Sequence, residues 1–166
     1  MTSTNRQFHL ARLPDGPLTR DCFRLAETAV PVPKDGEVLL KARLMSIDAA
    51  NRAWMQGATY RDALGAGTVM AGRGIGEVLR SRHPDFKAGD LAFGELGWQE
   101  YVAVPGKSLM KQPEVRPLSH LLSVYGISGL TAYFGLREVA RAKPGDTVVI
   151  SAAAGAVGSF AGQIAR

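Results

Sequence analysis

The 166-residue sequence contains a single cysteine, Cys22, and only three histidines, at positions 9, 83 and 120. One thiol can neither close an internal disulfide nor furnish a Cys-rich zinc site, and the histidines lack ligand spacing. They read as surface or turn residues, so no bound metal is expected. No apolar run approaches the ~20 residues that a membrane-spanning helix needs. The polar, basic opening from Met1 to Arg12 has no stretch of signal-peptide character. A soluble, cytoplasmic protein without a membrane partner is expected. A basic stripe is missing too: 20 Lys and Arg, of which 14 are Arg, face 15 Asp and Glu, for a formal charge of +5. The cations from Arg6 to Arg82 are dispersed among acids without interleaved aromatics, which argues against nucleic acid as a partner.

What is present is ordinary globular composition: 46% apolar residues, 21% charged, 19 Gly and 9 Pro. As far as about Pro113, short β-like runs alternate with Gly, Pro and Asp. Residues 37–45 (EVLLKARLM) follow the turn signal Pro33-Lys34-Asp35-Gly36 and read as a strand. Residues 74–79 form a second strand, with glycines where the backbone bends or meets another chain closely. Residues 91–93 and 100–104 make two more, the first preceded by Lys87-Ala88-Gly89-Asp90. Many short strands with frequent turns indicate a compact barrel.

The pattern then changes. Residues 117–124 and 128–140 read as helices, the second with Ser128 as N-cap and with Leu130, Tyr133, Phe134, Leu136 and Val139 on spacings of three and four. After Lys143-Pro144-Gly145-Asp146, residues 147–151 (TVVIS) are β-branched without alternation, as a strand covered on both faces would be. Gly155 and Gly158 follow, and residues 159–166 continue at helical spacing. Strand, glycine turn and helix open a dinucleotide-binding unit: bare backbone amides and the positive end of the helix attract a pyrophosphate. Gly162 would let that helix lie close to the sheet. Such a crossover unit takes ~30 residues or more, so the chain reads as truncated. An unpaired apolar strand at 147–151 would favour self-association, hence a homodimer.

Residues 129–136 (GLTAYFGL), 143–150 (KPGDTVVI) and 152–158 (AAAGAVG), with Gly162-Gln163, closely resemble the alkenal and prostaglandin reductases of the zinc-independent medium-chain dehydrogenase/reductase superfamily. Asp35 to Leu40, Ser46-Ile47-Asp48 and residues 87–90 extend the likeness more loosely. The resemblance implies a mixed fold: a GroES-like β-barrel catalytic domain over residues 1–125, then the start of a Rossmann α/β domain, one strand and one helix, over 126–166. It also implies NADP(H) as cofactor and reduction of the C=C bond of a small enone or enal without metal. By the same resemblance, Gly155, Ala156, Val157 and Gly158 hold the pyrophosphate and Thr131 lies near the nicotinamide. Where zinc-dependent relatives carry a Cys and a His-Glu pair, this chain has Ser46 and Arg73-Gly74.

The barrel departs from the family pattern at Asp48-Ala49-Ala50-Asn51-Arg52, which stands where these reductases show Asp-Pro-Tyr-Met-Arg. Asn51 could supply a neutral donor or acceptor and Tyr60 a phenol, so these two are the candidate catalytic residues. Arg52 is expected to pair with Asp48 at i−4, and Trp54, Trp98 and Tyr101 to be core or rim residues. Two alternatives stay open: a quinone reductase of the same superfamily, and a non-catalytic GroES-like interaction module.

Overall fold

The computed structural model describes residues 4–166, which divide after Pro113 into two compact units. In the first, β1 (Thr4–Leu10) and β2 (Phe23–Ala29) form an antiparallel hairpin. β3 (Glu37–Met45), β4 (Arg73–Ser81), β5 (Leu91–Glu95), β6 (Tyr101–Pro105) and β7 (Met110–Gln112) build an antiparallel sheet in the order β6-β3-β4-β5-β7. One helix, α1 (Ala49–Gln56), interrupts the run of strands. The strands read from the sequence at 37–45, 74–79, 91–93 and 100–104 correspond to β3, β4, β5 and β6.

β1 is held by more than its hairpin partner. Phe8 N–H donates to Trp98 O at 2.9 Å, Leu10 N–H to Thr68 O at 2.9 Å, and Glu100 N–H to Arg6 O at 3.1 Å. The buried Asn5 side chain imitates a ladder pair, donating to Tyr101 O and accepting from Tyr101 N, both at 2.9 Å. These bonds satisfy backbone groups that the two-stranded hairpin leaves over.

One turn design recurs. In Lys34-Asp35-Gly36-Glu37, Lys87-Ala88-Gly89-Asp90 and Lys143-Pro144-Gly145-Asp146, the acid's N–H donates to the Lys carbonyl while its side chain accepts from the Lys N–H. The glycines sit at φ of 78°, 88° and 93°, a region L side chains disfavour. Sequence alone therefore dictates where β3 and β5 begin.

The core of this unit joins Val38 and Leu40 of β3, Val78 of β4 and Ala92 of β5 with Phe86, Leu96 and Leu109. Val38, Leu39 and Leu40 are all buried, because the β3–β4 register slips between Leu39 and Leu40. That bulge explains the imperfect alternation. A Cβ added to Gly76 would meet Leu40 Cβ at 3.0 Å, so glycine there allows the two strands their close approach. A second cluster, Leu10, Met55 and Met70, is flanked by Phe23, Leu64 and Trp98.

Asp90 anchors the β4–β5 turn. Its side chain, 7% exposed, accepts from Lys111 Nζ at 2.7 Å and from Lys87 Nζ at 2.8 Å. The hydrogen bonds from Lys111, then those from Lys87, hold its carboxyl well below the usual carboxylate range. A lowered folded-state pKa stabilises the fold above the unfolded value near ~4, and that contribution is lost as pH falls through the lower folded value. Asp90→Asn is therefore expected to lower the melting temperature at neutral pH, with the gap to the parent closing below about pH 4. Melting curves over an acid series test this; a gap independent of pH would refute it.

In the second unit, a 3-10 turn at Leu118–Leu121 stands where residues 117–124 were expected to be helical. α2 (Ile127–Phe134) continues into a π-helical turn at Gly135–Val139, closed by Ala140 N–H donating to Gly135 O at 2.9 Å. The N-cap is Gly126, not Ser128, which lies inside the helix. Gly129 N–H donates to Ser123 O at 3.1 Å, and a Cβ on Gly129 would run into the Val124 backbone. That close approach ties residues 118–125 to α2, so the compact unit begins at Glu114.

Two expectations need correction here. Residues 147–150 form no ladder, and Val149 is 91% exposed. A strand exists through its neighbours, and none of the described residues pairs with this one. The apolar positions Leu130, Tyr133, Phe134 and Val139 are also exposed, while the buried residues of α2 are Gly129 and Ala132. α3 (Ala156–Ile164) likewise buries Gly158 and Ala161, and the two helices pack on one another. Small residues at i, i+3 let their backbones approach closely, so the small face of α2, not its large apolar face, is covered.

Candidate functional site

The glycine turn is an open helix start. α3 begins at Ala156 behind the N-cap Gly155, and no side chain caps it. Its opening bond runs from Ser159 N–H to Gly155 O at 2.9 Å, so the N–H groups of Ala156, Val157 and Gly158 precede the intrahelical ladder. Residues 151–157 are exposed. Among the described residues of this unit, no large side chain plugs the corner.

The turn is shaped from its own backbone. Ala152 sits in the left-handed region at φ 48° and its carbonyl accepts from Gly155 N–H at 2.8 Å. That conformation costs a non-glycine residue about 1–2 kcal/mol, a strain of the kind found at ligand-binding turns. A Cβ on Gly158 would lie 2.8 Å from Ala153 Cα and closer still to Ala152 O. Glycine is required there. At Gly162 a Cβ would meet only Ile150 Cδ1, at 3.9 Å, so the close packing expected at that position is not imposed within the unit. Thr131 is exposed on α2, the helix packed against α3. A pyrophosphate fits the bare, uncapped start of α3, since three free donors and the helix dipole favour an anion.

The candidate catalytic residues of the first unit are placed differently from each other. Asn51 is buried at the start of α1, where Asp48 and Asn51 form a reciprocal cap. Asn51 Oδ1 accepts from Asp48 N at 2.8 Å and Nδ2 donates to Ala71 O at 3.1 Å. Its amide is thus committed to the fold. Tyr60 is 71% exposed, with its ring edge-on to Trp54 at 6.1 Å. No hydrogen bond joins the two residues. The expected Arg52–Asp48 pair does not form: Asp48 accepts from Ala50 N and Ser46 Oγ, and Arg52 donates to Gly16 O at 2.6 Å. Capping takes up the carboxylate that Arg52 would have met.

Ser46 and Arg73 are brought together, Ser46 N–H donating to Arg73 O at 2.9 Å. A hydroxyl and a guanidinium stand at this place, and neither is a thiolate or imidazole of the kind zinc takes. A charged cluster lies beside it and escaped the sequence reading. Glu95 Oε1 accepts from Gly72 N–H at 2.7 Å, and Oε2 faces Arg61 at 3.3 Å and Arg73 at 3.8 Å. The Arg61 guanidinium lies over Trp54, 4.6 Å from the ring centroid. The pairing of β4 with β5 sets Arg73 opposite Glu95, and the contact with Trp54 brings Arg61 to them.

Residues 6–112 match the family described as the N-terminal domain of oxidoreductase. The chain is 42% identical over 168 residues to YfmJ of Bacillus subtilis, covering 100% of this chain and 49% of that protein. It is 38% identical over 164 residues to the NADPH-dependent curcumin reductase of Escherichia coli, covering 98% and 48%. The solved structure of CurA from Vibrio vulnificus in complex with NADPH superposes with a TM-score of 0.85 at 37% identity, over 96% of this chain and 48% of that one. The chain spans about half the length of the curated relatives it matches. The first unit accordingly carries the GroES-like fold, and the second the opening elements of a Rossmann domain. With its GroES-like first unit and the glycine turn of its second, the chain belongs to the family described as the N-terminal domain of oxidoreductase, within the medium-chain dehydrogenases and reductases.

Proposed function

We propose that this chain serves an NADPH-dependent oxidoreductase that reduces the C=C bond of small enones or enals without metal. The observation that carries the reading is the exposed, uncapped start of α3, with Gly158 required by its own turn. Its likeness to a curcumin reductase, to prostaglandin reductases and to a structure holding NADPH supports it. In this reading residues 1–125 are the catalytic domain and 126–166 belong to the nucleotide-binding domain. The protein acts in the cytoplasm, as a homodimer, without nucleic acid or membrane as partner.

The backbone amides of Ala156, Val157 and Gly158, behind the N-cap Gly155, bind the pyrophosphate and fix its position. Thr131 orients the nicotinamide through its free hydroxyl. When bound, NADPH would supply a hydride for the β-carbon of the alkene, and solvent water the proton for the α-carbon. Tyr60 donates its phenolic hydrogen bond to the carbonyl oxygen, where negative charge develops, in the role a metal would otherwise fill. Asn51 acts as a positioning residue: it locks the start of α1 and so the loop that bears Tyr60.

Titration of the 166-residue chain with NADPH, followed by cofactor fluorescence, is expected to saturate with a midpoint below about 1 mM. A linear response through millimolar cofactor would overturn the reading and favour an interaction module.

A further inference from the structure

The first unit holds an open pocket of about 330 Å³, lined by apolar groups including Leu64, Val69, Leu96 and Val102, with Arg61 and Glu95 as its charged members. Its volume suits a small ligand. Most of its polar groups are spent. Gln99 Nε2 donates to Leu96 O at 2.8 Å and its Oε1 accepts from Gln7 at 2.7 Å, while the Thr68 hydroxyl donates to Gly65 O at 2.7 Å. Glu95 is occupied by Gly72 N–H and by two guanidinium groups.

Arg61 is the exception. Its side chain is 29% exposed, and among the described residues its guanidinium makes one hydrogen bond, to Glu95 at 3.3 Å. Charge-assisted N–H···O bonds run ~2.7–2.9 Å, so this one is slack and the other guanidinium donors are free. The guanidinium lies over the Trp54 ring, a contact that helps hold it in place. Within the pocket lining Arg61 and Glu95 balance; Arg73, outside the lining, also faces the Glu95 carboxylate, at 3.8 Å, and so competes with Arg61 for it, while Asp62, exposed, does not line the pocket. A planar fork with free donors, in a pocket otherwise lined largely by apolar groups, matches a carboxylate on a short carbon chain.

We propose that Arg61 is a specificity-determining residue that receives a carboxylate carried by the substrate, so that acidic enones and enals are preferred to neutral ones. This rests on the reductase reading above and names the substrate class of that activity.

Calorimetric titration of the 166-residue chain with the enone acid acetylacrylate and with its methyl ester tests it. The acid is expected to bind about tenfold to hundredfold more tightly than the ester at low salt. Arg61→Gln should erase the preference and Arg61→Lys should restore part of it, as a point charge without the fork; melting curves report whether each variant is folded. Equal affinity for acid and ester, no binding of either at about 10 mM, or a preference that survives Arg61→Gln would each overturn the proposal. NADPH titrations on the same samples separate the two readings. Saturable cofactor binding without acid preference removes the role of Arg61 alone, whereas acid preference without cofactor binding removes the reductase reading.

Discussion

Replacing Gly158 with valine is expected to weaken the saturable NADPH response of the chain. The added Cβ would stand 2.8 Å from Ala153 Cα, with Ala152 O nearer still, and both obstacles are backbone. They cannot swing aside as a side chain tip would. Either the turn opens or α3 shifts, and in both cases the amides of Ala156 to Gly158 lose their convergence. Overpacking costs about 1–3 kcal/mol, and each ~1.4 kcal/mol is tenfold in affinity. A loss of about fivefold to about 150-fold follows. Gly162→Ala is the control, because its Cβ meets only Ile150 Cδ1 at 3.9 Å. There the better helix propensity of alanine, about 1 kcal/mol, should dominate and leave binding intact. Equal NADPH affinity in Gly158→Val and the parent would place the cofactor elsewhere.

Leu40→Ala is expected to destabilise the first unit by about 3 kcal/mol. Leu40 is fully buried in β3, opposite Val78 of β4 and Val102 of β6, and its Cβ faces the gap that Gly76 leaves. Truncation removes apolar burial worth about 2 kcal/mol and leaves a cavity that the flanking strands, fixed by their ladders, cannot close. At roughly 4 °C per kcal/mol for a unit of this size, the melting temperature should fall by about 12 °C. The half-exposed Leu25 of β2 is the comparison, where the same truncation should cost less than about 1 kcal/mol. A similar small loss at Leu40 would mean that β3 is not the centre of this core.

The parts legible in the sequence are those governed by short-range rules. Gly36, Gly89 and Gly145 each stand before an acid and two residues after a lysine, and all three adopt the positive φ that their turns need. β3 follows from such a turn and a run of apolar residues. α1 was missed although Asp48 and Asn51 spell its cap at the right spacing; its eight residues include only two buried apolar side chains, Trp54 and Met55, too few for a stripe. β7, three residues long, has no pattern of its own. On α2 the large apolar residues promised a core, but the close contact with α3 is made by small residues, whose burial a count of hydrophobic side chains undervalues.

The candidate site divides along the same line. Gly155 and Gly158 were readable because a helix start that binds an anion is local geometry: missing side chains, then a helix. Asn51 was singled out as a donor, yet its amide serves the α1 cap and Ala71 O, partners separated from any sequence signal by the folding of the chain. Arg61, Glu95 and Arg73 are scattered in the sequence and meet through strand pairing and one cation–aromatic contact. By itself, then, the sequence determined the turns and the glycine-lined helix start, since each depends on residues within a few positions of one another. Only the tertiary structure decided which polar side chains stay free to meet a ligand, because a donor is free or spent according to neighbours that long-range packing supplies.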